Sequence, residues 1–193
     1  MNLLVPQPTY TAEDLLNLPD GDRFELVDGR LMEMHMGAES SYVGARLARL
    51  LGNYCESPFC GWVLPADTSY QFLPERPNLV RKPDVSFIRL GRLPNEVLPK
   101  GHIRLAPDLA VEVVSPNDLY YEVEEKLGEY RLGGVRLVWV VVPPSRSILV
   151  RRLDGTVSEV LEGGELSGED VVPGFRCRVA DVFHPADHLP QPG

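Results

Sequence analysis

Lysine and cysteine are both scarce in this chain of 193 residues. The three cysteines are Cys55, Cys60 and Cys177. An odd number of cysteines without a CxxC spacing predicts neither a disulfide framework nor a zinc site, so we expect reduced, structural thiols. Only three of the 19 basic residues are lysines. Because lysine is not the usual surface cation of this chain, each lysine is a strong candidate for a specific role.

Long apolar runs are also missing. No run approaches the roughly 20 residues of a membrane helix, and the opening "MNLLVPQPTY" lacks the basic and apolar regions of a secretory signal. We therefore expect no membrane association and a cytoplasmic location. With 44% hydrophobic and 24% charged residues, the composition predicts one globular domain over 1–193, with a core from about 22 to 183 and a loose tail over 184–193.

The charge is unevenly distributed. The net charge of −9 argues against non-specific coating by nucleic acid, which requires clustered basic residues. Residues 76–104 nevertheless carry seven basic side chains against two acids. The seven are Arg76, Arg81, Lys82, Arg89, Arg92, Lys100 and Arg104. This segment is a candidate surface for an anionic partner such as the DNA backbone, and ordinary solvated loops are the alternative.

The hydrophobic pattern predicts an α/β fold. "RFELVDGRLMEM" alternates around Asp28–Gly29 and predicts an N-terminal β-hairpin, and Asp154–Gly155 marks a C-terminal one. "SSYVGARLARLLGNYCE" has helical spacing after a serine cap. "NDLYYEVEEKLGEYRLGG" reads as a helix capped by Asn117 or Asp118. This helix lies between the strands "LAVEVVS" and "VRLVWVVVP" and so predicts a βαβ unit within a mixed sheet.

Glu112 interrupts an otherwise apolar strand, "PDLAVEVVSP". Side chains alternate along a strand, so Glu112 shares its face with Ala110 and Val114. A buried carboxylate there requires a base or a metal ion opposite, because an isolated buried charge is costly. A half-exposed strand whose glutamate meets water is the alternative.

Asp84 is a second carboxylate at the entry of a strand, in "RKPDVSFIRL". The connection between Asp84 and Glu112 is long enough to bring their strands side by side. One or two carboxylates with a backbone oxygen and waters are what Mg²⁺ prefers. The two acids therefore predict a site for a hard divalent cation.

Five segments in order resemble a known family. They are "FELVDGRL", "RKPDVSFI", "PDLAVEVVSPND", "EKLGEYRLGGVRLVWVV" and "ILVRRLDG". The PD pair followed by an acid in an apolar strand resembles the PD-(D/E)XK nuclease superfamily. The whole order, from Phe24 to Phe183, resembles the Uma-two family of restriction endonucleases.

The resemblance implies a restriction-endonuclease-like core with a central mixed β-sheet flanked by helices. It also implies a cofactor, Mg²⁺ or alternatively Mn²⁺, and hydrolysis of phosphodiester bonds in DNA. Carried over position by position, it makes Asp84 and Glu112 catalytic metal ligands and the Val113 carbonyl a third ligand. It further suggests Glu25 as an outer ligand of the metal or of a water.

The catalytic lysine is where this chain departs from the superfamily pattern. The pattern asks for lysine two residues after the acid, where this chain has Val114, and Ser40 falls where the family commonly carries histidine. Lys126 is our substitute, since the family pattern moves lysine to this helix. On a helical wheel Lys126 falls about 20° outside an apolar arc of about 80°. The wheel puts it nearer that arc than Glu122, Glu125 or Glu129.

Other interpretations stay open. Lys126 could instead pair with Glu122 on the helix surface, and Lys82 is the next candidate for the catalytic lysine. Val114, Ser40 and the negative charge also suit a catalytically inactive nuclease fold that binds DNA or protein. An edge strand and the family resemblance predict a homodimer or higher homo-oligomer.

Overall fold

The computed structural model describes residues 9–34, 37–116 and 118–183. Asn117, a candidate helix cap, and the predicted tail at 184–193 lie outside the described residues. The helices are α1 (Ala12–Asn17), α2 (Ala38–Cys55) and α3 (Tyr120–Leu132). The strands are β1 (Phe24–Val27), β2 (Arg30–Glu33), β3 (Gly61–Pro65), β4 (Val85–Arg89), β5 (Leu109–Val113), β6 (Leu137–Val142), β7 (Ser147–Arg152), β8 (Val157–Leu161), β9 (Glu165–Ser167) and β10 (Arg176–Arg178).

Six strands form the central sheet, in the order β3-β4-β5-β6-β7-β8. Neighbours β5 and β6 run parallel, with Val111 opposite Trp139, and the other pairs are antiparallel. Parallel neighbours need a crossover connection, which α3 supplies. The predicted βαβ unit and the mixed sheet are therefore confirmed.

Alternation along β5 sends its side chains into two separate cores. On one side Val111 belongs to an apolar cluster with Leu47 and Leu51 of α2. On the other side Ala110 belongs to a cluster with Leu127 of α3. Each face of the sheet is thus covered by one long helix, as the predicted fold class requires. Glu112 occupies the face on which α3 lies.

Two hairpins follow the turn signals in the sequence. Strands β1 and β2 pair across Asp28 and Gly29, whose φ values of 48° and 84° suit a two-residue hairpin turn. The hairpin at Asp154–Gly155 joins β7 to β8 and extends the central sheet. A separate two-stranded sheet, β9 with β10, follows it along the chain.

Helices α2 and α3 begin at other residues than the sequence predicts. Helix α3 ends at Leu132, just before the two glycines that close its predicted segment. Helix α2 is capped by Gly37 and not by a serine, and Leu119 occupies the N-cap position of α3. Asp118 accepts a hydrogen bond from the Ser115 N–H at 2.7 Å and closes the preceding turn.

Across the described ranges, no helix has both the length and the apolar content that a bilayer crossing requires.

Truncation of Leu47 tests the core beneath α2. Leu47 is fully buried and Leu132 is 76% exposed, although both lie in helices. We expect Leu47→Ala to lower the free energy of unfolding by about 2–5 kcal/mol, because it leaves a cavity. Leu132→Ala should change it by less than about 0.5 kcal/mol. Urea denaturation of both variants measures the difference, and equal losses would contradict this assignment of the core.

Candidate active site

Asp84 and Glu112 line one cleft at the end of the central sheet. The cleft has a volume of about 400 Å³ and is also lined by Glu25 of β1, Ser40 of α2 and Lys126 of α3. Since β4 and β5 pair Val85 with Val111, Asp84 enters the sheet where Glu112 leaves it. The two predicted ligands therefore share one end of the sheet and one cleft.

Glu112 is largely buried, with both carboxylate oxygens bonded to α3. Its side chain is 13% exposed, and the Lys126 Nζ lies 2.8 Å from Oε2. The Tyr130 hydroxyl donates to Oε1 at 2.6 Å. Lys126 and Tyr130 are four residues apart and so lie on one side of the helix. The first interpretation of Glu112, a buried acid facing a base, is the one that the structure supports.

Lys126 makes three short contacts through its ammonium group. Besides Glu112, it lies 2.9 Å from Glu25 Oε1 and donates to the Lys82 carbonyl at 3.2 Å. An ammonium has three N–H donors, so these contacts use all of them. Lys126 is thus fixed between β5, β1 and the segment that leads into Asp84, and does not pair with Glu122.

Asp84 is held by the backbone of β5. Its Oδ2 accepts a hydrogen bond from the Val113 N–H at 2.6 Å. This is the one hydrogen bond that the Asp84 carboxylate accepts within the described residues, so Oδ1 can still bind a cation. In a strand the N–H and C=O of one residue point to the same side. The Val113 carbonyl therefore points toward Asp84, beyond the last β4–β5 pair.

Negative charge exceeds positive charge around Lys126. Burial raises the pKa of Glu112 to about 7 despite Lys126, and the Asp84 and Glu25 carboxylates add to the rise. Burial also raises the pKa of Asp84. Burial works against the charged Lys126, yet the Glu112 and Glu25 carboxylates outweigh it and raise its pKa. A cation would therefore be bound favourably beside Asp84 and Glu112.

The donor set fits a divalent cation with a mostly hydrated shell. Within residues 9–34, 37–116 and 118–183, no three Asp, Glu, His or Cys side chains converge closely enough to hold a metal ion. Two carboxylates, one carbonyl and several waters are the set that Mg²⁺ prefers, whereas zinc sites are usually built from cysteine and histidine. Glu25 already makes three contacts, with Lys126 and the Lys82 N–H at one oxygen and with Arg81 at the other. Among the described residues, Glu112 makes only one at each oxygen and keeps a lone pair on both.

A chain of ion pairs, buried at Arg81 and Glu129, continues from Glu25 away from the cleft. Arg81 lies 2.9 Å from Glu25 Oε2 and 2.5 Å from Glu129 Oε2. Glu129 also accepts from Arg76 at 2.7 Å, and Arg76 binds Asp28 in the hairpin turn. Glu129 is 2% exposed. The helical wheel was wrong to place it farther from the protein interior than Lys126.

The basic segment 76–104 does not form a free cationic surface. Five of its seven basic residues bind acids or carbonyls of this chain: Arg76, Arg81, Lys82, Arg89 and Arg92. Within the described part of the chain, Lys100 and Arg104 make no such contact and are exposed. Counting charges therefore overstated the capacity of this segment to follow a DNA backbone.

Two other positions singled out in the sequence also line the cleft. The Lys82 amine donates to the carbonyls of Gly21 and Asp22 at 2.8 and 3.0 Å. It therefore does not reach Glu112, which leaves Lys126 as the lysine at the acid. Ser40 forms hydrogen bonds with the Gly37 backbone at 3.0 Å, at the first turn of α2.

Comparison with known proteins supports the resemblance. A model of the Uma2 family, described as "Putative restriction endonuclease", matches residues 12–180. Four solved chains match, among them one from Anabaena variabilis ATCC 29413 described as a "putative nuclease belonging to DUF820". It is 16% identical, covers 90% of this chain and 97% of its own, and superposes with a TM-score of 0.75. It therefore shares the fold. No curated protein matches the chain.

Ionisation of Glu112 should weaken the fold as the pH rises. Its pKa is 4.5 in the unfolded chain and about 7 in the folded protein, so the folded protein holds the proton more tightly. The stability gained from this proton is complete below pH 4.5 and is lost by about pH 7. In the presence of a chelator, the free energy of unfolding of wild type should fall relative to that of Glu112→Gln as the pH rises through this interval. Above it, the difference between the two proteins should stay constant. Urea denaturation at successive pH values measures this, and a constant difference would contradict it.

Removal of the Glu129 charge should destabilise the protein strongly. Glu129→Gln leaves the buried Arg81 with one acid in place of two, and we expect a loss of about 3 kcal/mol in the free energy of unfolding. Glu165→Gln is the matched control, since its pair with Arg176 is exposed and should be worth less than about 1 kcal/mol. Chemical denaturation compares them. Similar small losses would show that the buried chain contributes little.

Proposed function

This chain belongs to the Uma2 family, and from that membership and the cleft we propose a metal-dependent endonuclease that hydrolyses phosphodiester bonds in DNA. One observation carries the proposal. Lys126 of α3 lies 2.8 Å from Glu112, in a cleft that also contains Asp84. The missing lysine at Val114 is thereby replaced from the helix.

Asp84, Glu112 and the Val113 carbonyl would hold the metal, Mg²⁺ or Mn²⁺. Such a cation polarises a phosphoryl oxygen and lowers the pKa of a bound water. The protein's part is to hold both acids at one end of the sheet, which Val113 does for Asp84 and Tyr130 does for Glu112. Fixed acids need no reorganisation when the substrate binds.

Lys126 stabilises the negative charge that develops on the phosphate. Its pKa is raised, so it stays an ammonium at neutral pH. Of its three contacts, the one to the Lys82 carbonyl is the longest and has a neutral acceptor. This N–H is the one that turns to the phosphate or to the attacking water. Glu25 keeps the ammonium in place and so acts as a positioning residue for Lys126 rather than a metal ligand.

A nuclease fold that binds DNA or protein without hydrolysis is the alternative. Val114 and Ser40 favour it. The cleft cations argue against DNA as its ligand at this site, since Arg81, Lys82 and Lys126 are all paired within the chain. Without a metal, the cleft therefore offers no free cation among its described residues to a phosphate. Either proposal includes a homodimer or higher homo-oligomer that acts in the cytoplasm.

Cleavage of supercoiled plasmid tests the assignment. With Mg²⁺ or Mn²⁺, we expect nicked and linear products from wild type. Asp84→Asn, Glu112→Gln and Lys126→Met should each reduce the rate at least about 100-fold, because the first two remove a metal ligand and the third removes the ammonium that stabilises the phosphate charge. Glu125→Gln and Lys100→Met are the matched controls, since both positions are exposed, and they should cleave like wild type.

One outcome would reject the assigned site, and another would reject the nuclease. Equal cleavage by all three site variants would show that the activity lies elsewhere. No cleavage by wild type with either metal, together with DNA or protein binding that persists in a chelator, would favour the binding module. Calorimetry with Mn²⁺ separates a nuclease with an intact metal site from a binding module without one. If the site is intact, wild type binds Mn²⁺ and Asp84→Asn does not.

A further inference from the structure

Two free cysteines lie in contact at the far end of α2 from the cleft. Cys55 is the last residue of α2, and Cys60 immediately precedes β3. Their sulfurs are 2.6 Å apart. Between them the chain reverses direction, with Glu56 opposite Phe59 in an antiparallel bridge. The contact is therefore built by the turn that joins the helix to the sheet.

The backbone of this turn suits a covalent bond between the two sulfurs. The next pair outward from the bridge is Cys55 opposite Cys60, and the Cys60 N–H donates to the Cys55 carbonyl at 3.2 Å. Opposite residues of this kind have Cα atoms about 5.5 Å apart. Disulfides span Cα separations of roughly 4.4–6.8 Å. The bond can form without moving the backbone.

The two thiols differ in their access to solvent. Cys55 is 2% exposed, and burial raises its pKa to about 12. Cys60 is partly exposed. An external oxidant therefore reaches Cys60 first. Cys55 is shielded from solvent and contacts the Cys60 sulfur from the interior of the protein. The third cysteine, Cys177, lies in β10 and is partly exposed.

We infer that Cys55 and Cys60 are a reversible oxidation site that closes to an intramolecular disulfide with a small-molecule disulfide such as oxidised glutathione. The Cys60 thiolate attacks the oxidant, so that one glutathione thiol leaves and a mixed disulfide forms. Cys55 then loses its proton and attacks the Cys60 sulfur, and the second glutathione thiol leaves. Two protein thiols are oxidised, and one glutathione disulfide is reduced to two thiols.

The disulfide would fasten α2 to the edge strand β3 and leave the cleft unchanged. Gly44, also on α2, packs beside Asp84, since a Cβ at Gly44 would lie 3.9 Å from the Asp84 Cβ. Gly44 and Cys55 are eleven residues apart, about 16 Å along the helix. The bond closes a short loop, and this restricts the unfolded chain. Its effect is therefore on stability, independent of the proposed nuclease activity.

Mass spectrometry of the full chain tests the inference. Cys177→Ser removes the third thiol. In this background, excess oxidised glutathione should produce protein lighter by two hydrogen atoms, with a peptide that links Cys55 to Cys60. The melting temperature should rise by about 5 °C, and dithiothreitol should reverse both changes.

Two further variants make the result decisive. In the same background, Cys55→Ala should accumulate a stable glutathione adduct on Cys60, because no second thiol displaces it. Cys60→Ser should remain unmodified, because Cys55 is shielded. A lasting adduct on Cys60 while Cys55 is intact, or an unchanged mass, would overturn the inference.

Discussion

The site depends on the contacts of one group, the ammonium of Lys126. It joins Glu112 of the central sheet to Glu25 of the N-terminal hairpin, and it also bonds the backbone just before Asp84. Removing one partner of a buried ion pair leaves a charge that neither water nor protein satisfies, which is strongly unfavourable. The sheet, the hairpin and α3 therefore all meet at one charged group.

This arrangement also leaves an imbalance. The carboxylates of Asp84, Glu112 and Glu25 all lie near the Lys126 ammonium. The pKa values of Asp84 and Glu112 are raised, by burial first and then by neighbouring carboxylates. A fold selected for stability alone would avoid buried like charges. Sites that bind cations or carry out catalysis commonly contain them, because the ligand supplies the missing charge. A cation at the proposed metal site would relieve this imbalance.

Local patterns in the sequence predict the parts of the site that lie on regular elements. Alternation along β5 gives the face of Glu112, and the spacing of α3 brings Lys126 close to it. The patterns do not predict Glu129 or Arg81, because their partners come from β1 and from the segment before β4. A helical wheel describes one helix against one surface, whereas α3 contacts both the sheet and this neighbouring segment.

The count of basic residues fails for a related reason. A count treats every arginine as available to solvent, but Arg76 and Arg81 are used within the protein and Arg89 binds the carbonyl of Asp170. The predicted helix caps fail because Gly37 and Leu119, and not the predicted polar residues, occupy the N-cap positions of α2 and α3. The residue at which a helix begins depends on the direction from which the chain enters, and tertiary contacts set that direction.

The position of the lysine explains why so many ion pairs surround it. A lysine at position 114 would be fixed relative to Glu112 by the register of their shared strand. This chain has Val114, which packs against the apolar cluster beneath α3. A lysine carried by a helix reaches Glu112 only if the helix is fixed in rotation and height. Tyr130 fixes the rotation through Glu112, and Glu129 anchors the same helix to Arg81 and Arg76. Moving the cation from strand to helix thus requires the buried network that this fold contains.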